Sequence, residues 1–227
     1  MAADLIVMLT WNDRTVHTAH EIFEECKGLP VQTWGFKDVG MGHDEMKRLA
    51  ASMKGAGKTV FIENIEQDED VILRCADLCI ECGVDAMTGG KYFDSARDKL
   101  HRFGLRYEPT LGNLTGRPAV LKGSIIEIAR EAEELGQKGV DGVCIASYRY
   151  SGNSVELMRA ITKLGVPLCV AGSVDSFNRI DEVIACGVSS FTIGSAFFEH
   201  KFGDTFYRQI NIVIDYLNSR LKQHLNN

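Results

Sequence analysis

Neither a long apolar run nor a block of like charge occurs anywhere in the 227 residues. The first absence removes a membrane-spanning helix, which needs about 18 or more consecutive apolar residues. The second, with a net charge of −6 and a pI near 5.5, argues against a dedicated nucleic-acid or membrane-surface protein. No linker, low-complexity tract or repeat beyond a recurring β–α unit interrupts the chain, so a single domain over residues 1–227 is expected. The opening Met1-Ala2-Ala3-Asp4 has neither the basic start nor the long apolar stretch of a signal peptide. The seven cysteines are an odd number scattered through apolar contexts, which fits a reducing cytoplasm better than a disulfide-stapled fold. The expectation is a cytoplasmic protein without nucleic-acid or membrane partners and without metal or cofactor, its self-association left open.

What is present is the balance of an ordinary globular protein, 45% apolar and 25% charged. A chain of this length buries roughly 70% of its unfolded surface. Short apolar runs alternate with amphipathic stretches throughout, the pattern of a parallel sheet with crossover helices. Strands are predicted at Leu5–Thr10, Val31–Lys37, Thr59–Glu63, Asp85–Thr88, Leu105–Thr110, Gly142–Ala146, Pro167–Ala171 and Ser190–Gly194. Helices are predicted at Val16–Cys26, Asp44–Gly55, Asp70–Glu81, Ser95–Phe103, Ser124–Lys138, Val155–Leu164, Ser176–Cys186 and Asp204–Lys222. Gly83, Gly139, Gly165 and Gly187 each precede a valine that opens a strand, where a left-handed residue would close the helix. Eight such units imply a closed (β/α)8 barrel. The alternative, an open doubly wound sheet, would call for G-x-G-x-x-G after the first strand, where Thr10-Trp11-Asn12-Asp13 stands instead.

The stretch Val166–Phe198 reads as strand, Gly172-Ser173, helix, Gly187-Val188, strand, Gly194-Ser195-Ala196 and a short helix. Glycine lets backbone N–H groups approach an anion, serine adds a donor, and a helix N-terminus adds partial positive charge. The alternative is that these glycines only make tight turns. This segment resembles the phosphate-binding barrels of tryptophan and histidine biosynthesis, such as phosphoribosylanthranilate isomerase and the phosphoribosyl-formimino isomerase. The resemblance implies a substrate phosphate held by Gly172, Ser173, Gly194 and Ser195. A weaker resemblance, through Gly83-Val84-Asp85 and Phe103-Gly104-Leu105, is to the glycerol-3-phosphate-responsive antiterminator family, whose members regulate rather than catalyse. The acid or thiol that the isomerases carry on strand one and their aspartate on strand six are missing: strand one ends in Thr10 and strand six in Ala146-Ser147. Their sugar-opening reaction is therefore not implied.

Reactive groups in a barrel stand at the C-terminal ends of strands. Lys37 closes an apolar run, where an ammonium suits Schiff-base chemistry or carbonyl polarisation. Glu63 could pair with it across adjacent strands or act as a base, and the bland reading is a structural ion pair. Asp13 is a third candidate for proton transfer, with capping of the first helix as the alternative. Arg149 is placed to bind a second anionic group or to be a surface arginine, and Glu108 to be a general acid or a barrel-filling partner of a lysine. Cys75, Cys79 and Cys82 lie on one helix face, where packing explains them better than a metal does. His17 and His20 likewise need no metal. The leading reading is an isomerase or carbon–carbon lyase of aldolase type acting on a phosphorylated sugar or keto acid. The alternative is a non-catalytic sensor of a phosphorylated metabolite.

Overall fold

The computed structural model describes residues 3–116 and 119–225. Eight parallel strands form the centre: β1 (Asp4–Met8), β2 (Thr33–Lys37), β3 (Thr59–Asn64), β4 (Ala86–Gly89), β5 (Arg106–Glu108), β6 (Val143–Ile145), β7 (Leu168–Val170) and β8 (Ser190–Ile193). Their order in the sheet is β6-β7-β8-β1-β2-β3-β4-β5. The remaining seam, between β5 and β6, is stitched by Asp141 N to Tyr107 O, Cys144 N to Pro109 O and Leu111 N to Cys144 O. Pro109 has no N–H to return, so the ladder here stays partial and the barrel is nearly closed rather than seamless. The same proline explains why β5 stops at Glu108 instead of running to Thr110.

Around the sheet stand α1 (Ala19–Cys26), α2 (His43–Gly55), α3 (Glu69–Cys82), α4 (Asp94–Arg102), α5 (Ile125–Gln137), α6 (Ser154–Thr162), α7 (Phe177–Ala185) and α8 (Phe206–Leu225). Local signals start and stop them. Ser124 and Glu127 form a reciprocal capping box at α5, while Asp68, Asn153 and Ser176 accept backbone N–H groups at α3, α6 and α7. Gly83, Gly139, Gly165 and Gly187 have φ of 62°, 80°, 75° and 72°, the left-handed conformation expected of them. Cys75, Cys79 and Cys82 are buried on the sheet-facing side of α3 within the main core. Burial pushes the Cys82 thiol up to about 11, and these thiols behave as small apolar groups.

The main core fills the space between sheet and helices, with Trp34, Phe23 and Phe36 fully buried there. The barrel interior is a separate, small cluster of Ile6, Met8, Cys144, Cys169 and Ala171. Such short side chains leave the barrel hollow at both ends. A cavity of about 650 Å³ opens at the N-terminal end and one of about 210 Å³ at the C-terminal mouth. No helix among the described residues is long and apolar enough to cross a membrane.

Two hairpins do not follow from the periodicity. Thr10–Trp11 pairs with Arg14–Thr15 directly after β1, and Asn113–Thr115 pairs with Val120–Lys122 after β5. Both sit in loops at the mouth, where they shape the site.

Candidate active site at the barrel mouth

The first hairpin supplies one charge of the site. Asn12 and Asp13, its two central residues, have φ of 50° and 59°. Two-residue hairpin turns favour positive φ at both positions, and Asn and Asp tolerate it better than most residues. The hydroxyl of Thr15 donates to Lys37 O at 2.7 Å and accepts from Lys37 N at 2.8 Å, fastening the hairpin to the end of β2. Asp13 thereby reaches the Lys37 ammonium at 3.0 Å. Asp13 does not cap α1, whose N-cap position is held by Thr18.

Lys37 and Glu63 stand directly opposite each other in the β2–β3 register, and both point inward. Lys37 is only 3% exposed. The Glu63 carboxylate lies 3.6 Å from its Nζ, close enough for charge pairing but beyond a hydrogen bond. An ammonium has three N–H donors and Asp13 takes one, so donors remain for an oxygen brought to the site. Asp13 and Glu63 line the mouth cavity, and Lys37 is buried behind that pair. All three residues expected to carry chemistry are thus brought together.

Arg149 also lines the mouth cavity, from a 3-10 turn (Ser147–Arg149) after β6. Its guanidinium lies flat against Gly172: a Cβ at that position would sit 2.6 Å from an Arg149 nitrogen. The Nε of Arg149 is buried without a hydrogen-bond partner among the described residues. Leaving a buried charged donor unmatched is costly, and such an orphan marks a place where an acceptor belongs. Arg149 is therefore neither a solvated surface arginine nor remote from the glycine-serine turns.

Those turns differ in detail from the expected cradle. Gly172 has φ 78° and Ser173 φ 59°, so two successive residues of this turn lie in the left-handed region, where the non-glycine Ser173 is strained. Gly172 N already donates to Thr192 Oγ1 at 3.2 Å, whereas Ser173 N has no acceptor among the described residues. Gly194 is required by space: a Cβ there would lie 2.9 Å from Thr10 O. Ser195 opens a helical segment of only four residues, Ser195–Phe198, too short to develop an appreciable dipole. Its N–H has no acceptor among the described residues either. Thr10, abutting Gly194, has a buried hydroxyl without a partner among the described residues. None of Gly172, Ser173, Gly194 and Ser195 lines the mouth cavity itself; Arg149, which does, packs against Gly172.

Glu108 does not join the group. It points down the barrel beside Arg106, at 3.7 Å, and lines the N-terminal cavity with Asp141 and Cys169. Burial pushes its carboxyl up to about 7, against the weaker opposing pull of a half-exposed Arg106. Asp38, the residue after Lys37, accepts from Asn64 Nδ2 at 2.5 Å and lines a groove with α2 and α3 residues away from the mouth. Residues not singled out from the sequence line the mouth instead: Glu66 and Gln67 just past β3, Thr110, and Leu114 on the second hairpin. The position of Glu66 and Gln67 immediately after a barrel strand was the available signal.

No family model matches the chain, and no curated protein sequence does. Solved structures do. N-acetylmannosamine-6-phosphate 2-epimerase from Clostridium perfringens superposes with a TM-score of 0.63 at 14% identity, covering 93% of this chain and 92% of that one. N-(5'-phosphoribosyl)anthranilate isomerase from Pyrococcus furiosus gives 0.66 at 12%, covering 96% and 99%. A glycerol uptake operon antiterminator regulatory protein from Listeria monocytogenes gives 0.58 at 15%, covering 85% and 91%. They establish the fold. The chain is a (β/α)8 barrel, and identities this low carry no chemistry across.

Proposed function

We propose that the mouth binds a phosphorylated sugar or keto acid and isomerises it or cleaves a carbon–carbon bond in it. The observation that carries the anion half of this reading is Arg149, a guanidinium with a buried, unmatched Nε pressed onto the Gly172-Ser173 turn. With the Ser173 and Ser195 amides it offers fixed donors to a phosphate between the loops after β7 and β8. The names of two solved neighbours, an epimerase and an isomerase of phosphorylated compounds, support the same reading.

In this proposal the substrate carbonyl lies against Lys37, whose unspent N–H donors polarise it. Two carboxylates within 4 Å give the ammonium its counter-charges, an arrangement suited to a cation that stabilises an enolate oxygen. It is less suited to a free amine that attacks a carbonyl. Glu63, not hydrogen-bonded to Lys37, removes a proton from the carbon next to the carbonyl, and Asp13 or Glu63 returns it. A lyase would use the same enolate, formed by breaking a carbon–carbon bond instead of a carbon–hydrogen bond.

Arg149→Met tests the site. Inorganic phosphate at 100 times its dissociation constant should stabilise the wild type by about 2.7 kcal/mol, and the variant should lose most of that shift. Equal shifts in both proteins would remove Arg149 from the anion site. If phosphorylated compounds bind but none exchanges its carbon-bound protons with D2O or is cleaved, the protein is a sensor, as the antiterminator neighbour would suggest.

A further inference from the structure

The cavity at the N-terminal end, about 650 Å³, is well above the roughly 300 Å³ at which small-molecule pockets begin, and the mouth cavity is not. Between the two lies the inward cluster of Ile6, Met8, Cys144, Cys169 and Ala171. Cys144 lines the mouth side and Cys169 the N-terminal side, so the two cavities are separate places.

Glu108 faces the N-terminal cavity. It is 8% exposed, and its carboxyl has no hydrogen-bond partner among the described residues; Arg106, at 3.7 Å, is the nearest opposite charge. Gly142 makes room for it, since a Cβ there would stand 3.4 Å from Glu108 Cγ. Barrel interiors are ordinarily filled by branched apolar side chains, which carry no desolvation cost. A buried carboxyl with no donor and with open space beside it is instead shaped to receive one.

Charge and shape say which donor. Asp4 and Asp141 add two carboxylates to the walls, and Arg106 is the one cation among the lining residues. Arg106 is drawn aside, its guanidinium 4.8 Å from the centre of the Phe61 ring and its side chain 45% exposed. An anion entering here would meet three carboxyl groups against one guanidinium. No group of three metal-ligating side chains occurs among the described residues, so a bare metal ion is poorly served. From α8, Ile214, Leu217 and Leu221 supply an apolar wall able to cover a hydrocarbon body.

We infer that the N-terminal end of the barrel is a second binding site, for a small organic ammonium ion with an apolar body that donates its N–H groups to Glu108. The site is independent of the phosphate reading. Calorimetric titration of the full chain at pH 8 tests it, with phenethylamine and with 3-phenylpropionate, which carries the same ring on a carboxylate. At that pH the amine is protonated and Glu108, its carboxyl at about 7, is mostly ionised. The amine should bind at least about tenfold tighter than the carboxylate. Glu108→Gln keeps the side-chain shape and should weaken amine binding by about tenfold or more, the loss of one hydrogen bond to a charged acceptor. Leu221→Ser changes a residue already 37% exposed, so the fold should hold, and it should weaken phenethylamine by removing part of the apolar wall. Amine affinity unchanged in either variant, tighter binding of the carboxylate, or no amine binding by the wild type would each overturn the inference. Neither probe carries phosphate, so these outcomes leave the reading of the mouth standing.

Discussion

Glu108 offers a sharp test of how the barrel interior balances charge against burial. Its carboxyl is held at about 7 in the folded chain against an ordinary 4.5. Burial favours the neutral acid, and Arg106, its side chain 45% exposed, is too well screened by water to reverse that. The folded state thus holds a proton that the unfolded chain releases. The contribution to stability is full below pH 4.5, declines as pH rises, and is gone above about 7. A shift from 4.5 to about 7 corresponds to about 3 kcal/mol at most. Glu108→Gln keeps the shape and removes the titration. The difference in stability between variant and wild type should therefore move by about 3 kcal/mol in favour of the variant between pH 4.5 and pH 8. In a protein of this size that is roughly 6–12 °C in melting temperature. Urea melts of both proteins across that range would measure it, and comparing the two cancels the other carboxylates. A pH-independent difference, or one growing in favour of the wild type, would show that Arg106 controls the group and refute the reasoning.

Lys37→Met should lower turnover by about 10² or more, once a substrate is in hand, and trap no borohydride adduct in the wild type. The same change should cost a few kcal/mol in stability by removing the cation beside the largely buried Glu63 carboxylate, and Glu63→Gln added to it should restore part of that in urea melts. Gly194→Ala places a methyl group 2.9 Å from Thr10 O, so a loss of about 1–3 kcal/mol is expected, readable in thermal melts. Ser124→Ala removes the α5 cap and should cost about 1 kcal/mol by the same measurement, with phosphate binding unchanged.

The eight strands and eight helices were legible because apolar periodicity and helix-closing glycines reported them independently. Boundaries slipped where one residue's chemistry outweighed the pattern, as at Pro109. The hairpins escaped because each strand is only two or three residues long, too short to alternate visibly. Lys37 and Glu63 were readable as partners, since parallel strands ending together put both side chains on one face. The direction of Glu108 was not, because its facing depends on the register of a strand three residues long. Arg149 could be named but not placed: nothing in Ser147-Tyr148-Arg149 says that its guanidinium will fold back over Gly172. The N-terminal cavity required the strand starts and α8 to be seen together, and its lining residues are scattered from Ala3 to Leu221.

The first hairpin has a practical consequence for engineering. Its feet are held by Val16 N on Leu9 O, Thr15 N on Val39 O and the Thr15 hydroxyl on β2, while only Asn12 and Asp13 form the tip. The acidic group opposite Lys37 is thus carried by a detachable graft, outside the eight strands that make the barrel. Exchanging those two residues for another pair that tolerates positive φ, Asn-Gly for instance, would change the charge over the mouth while every strand kept its register. One barrel could then host a series of sites that differ in a single carboxylate, amide or gap.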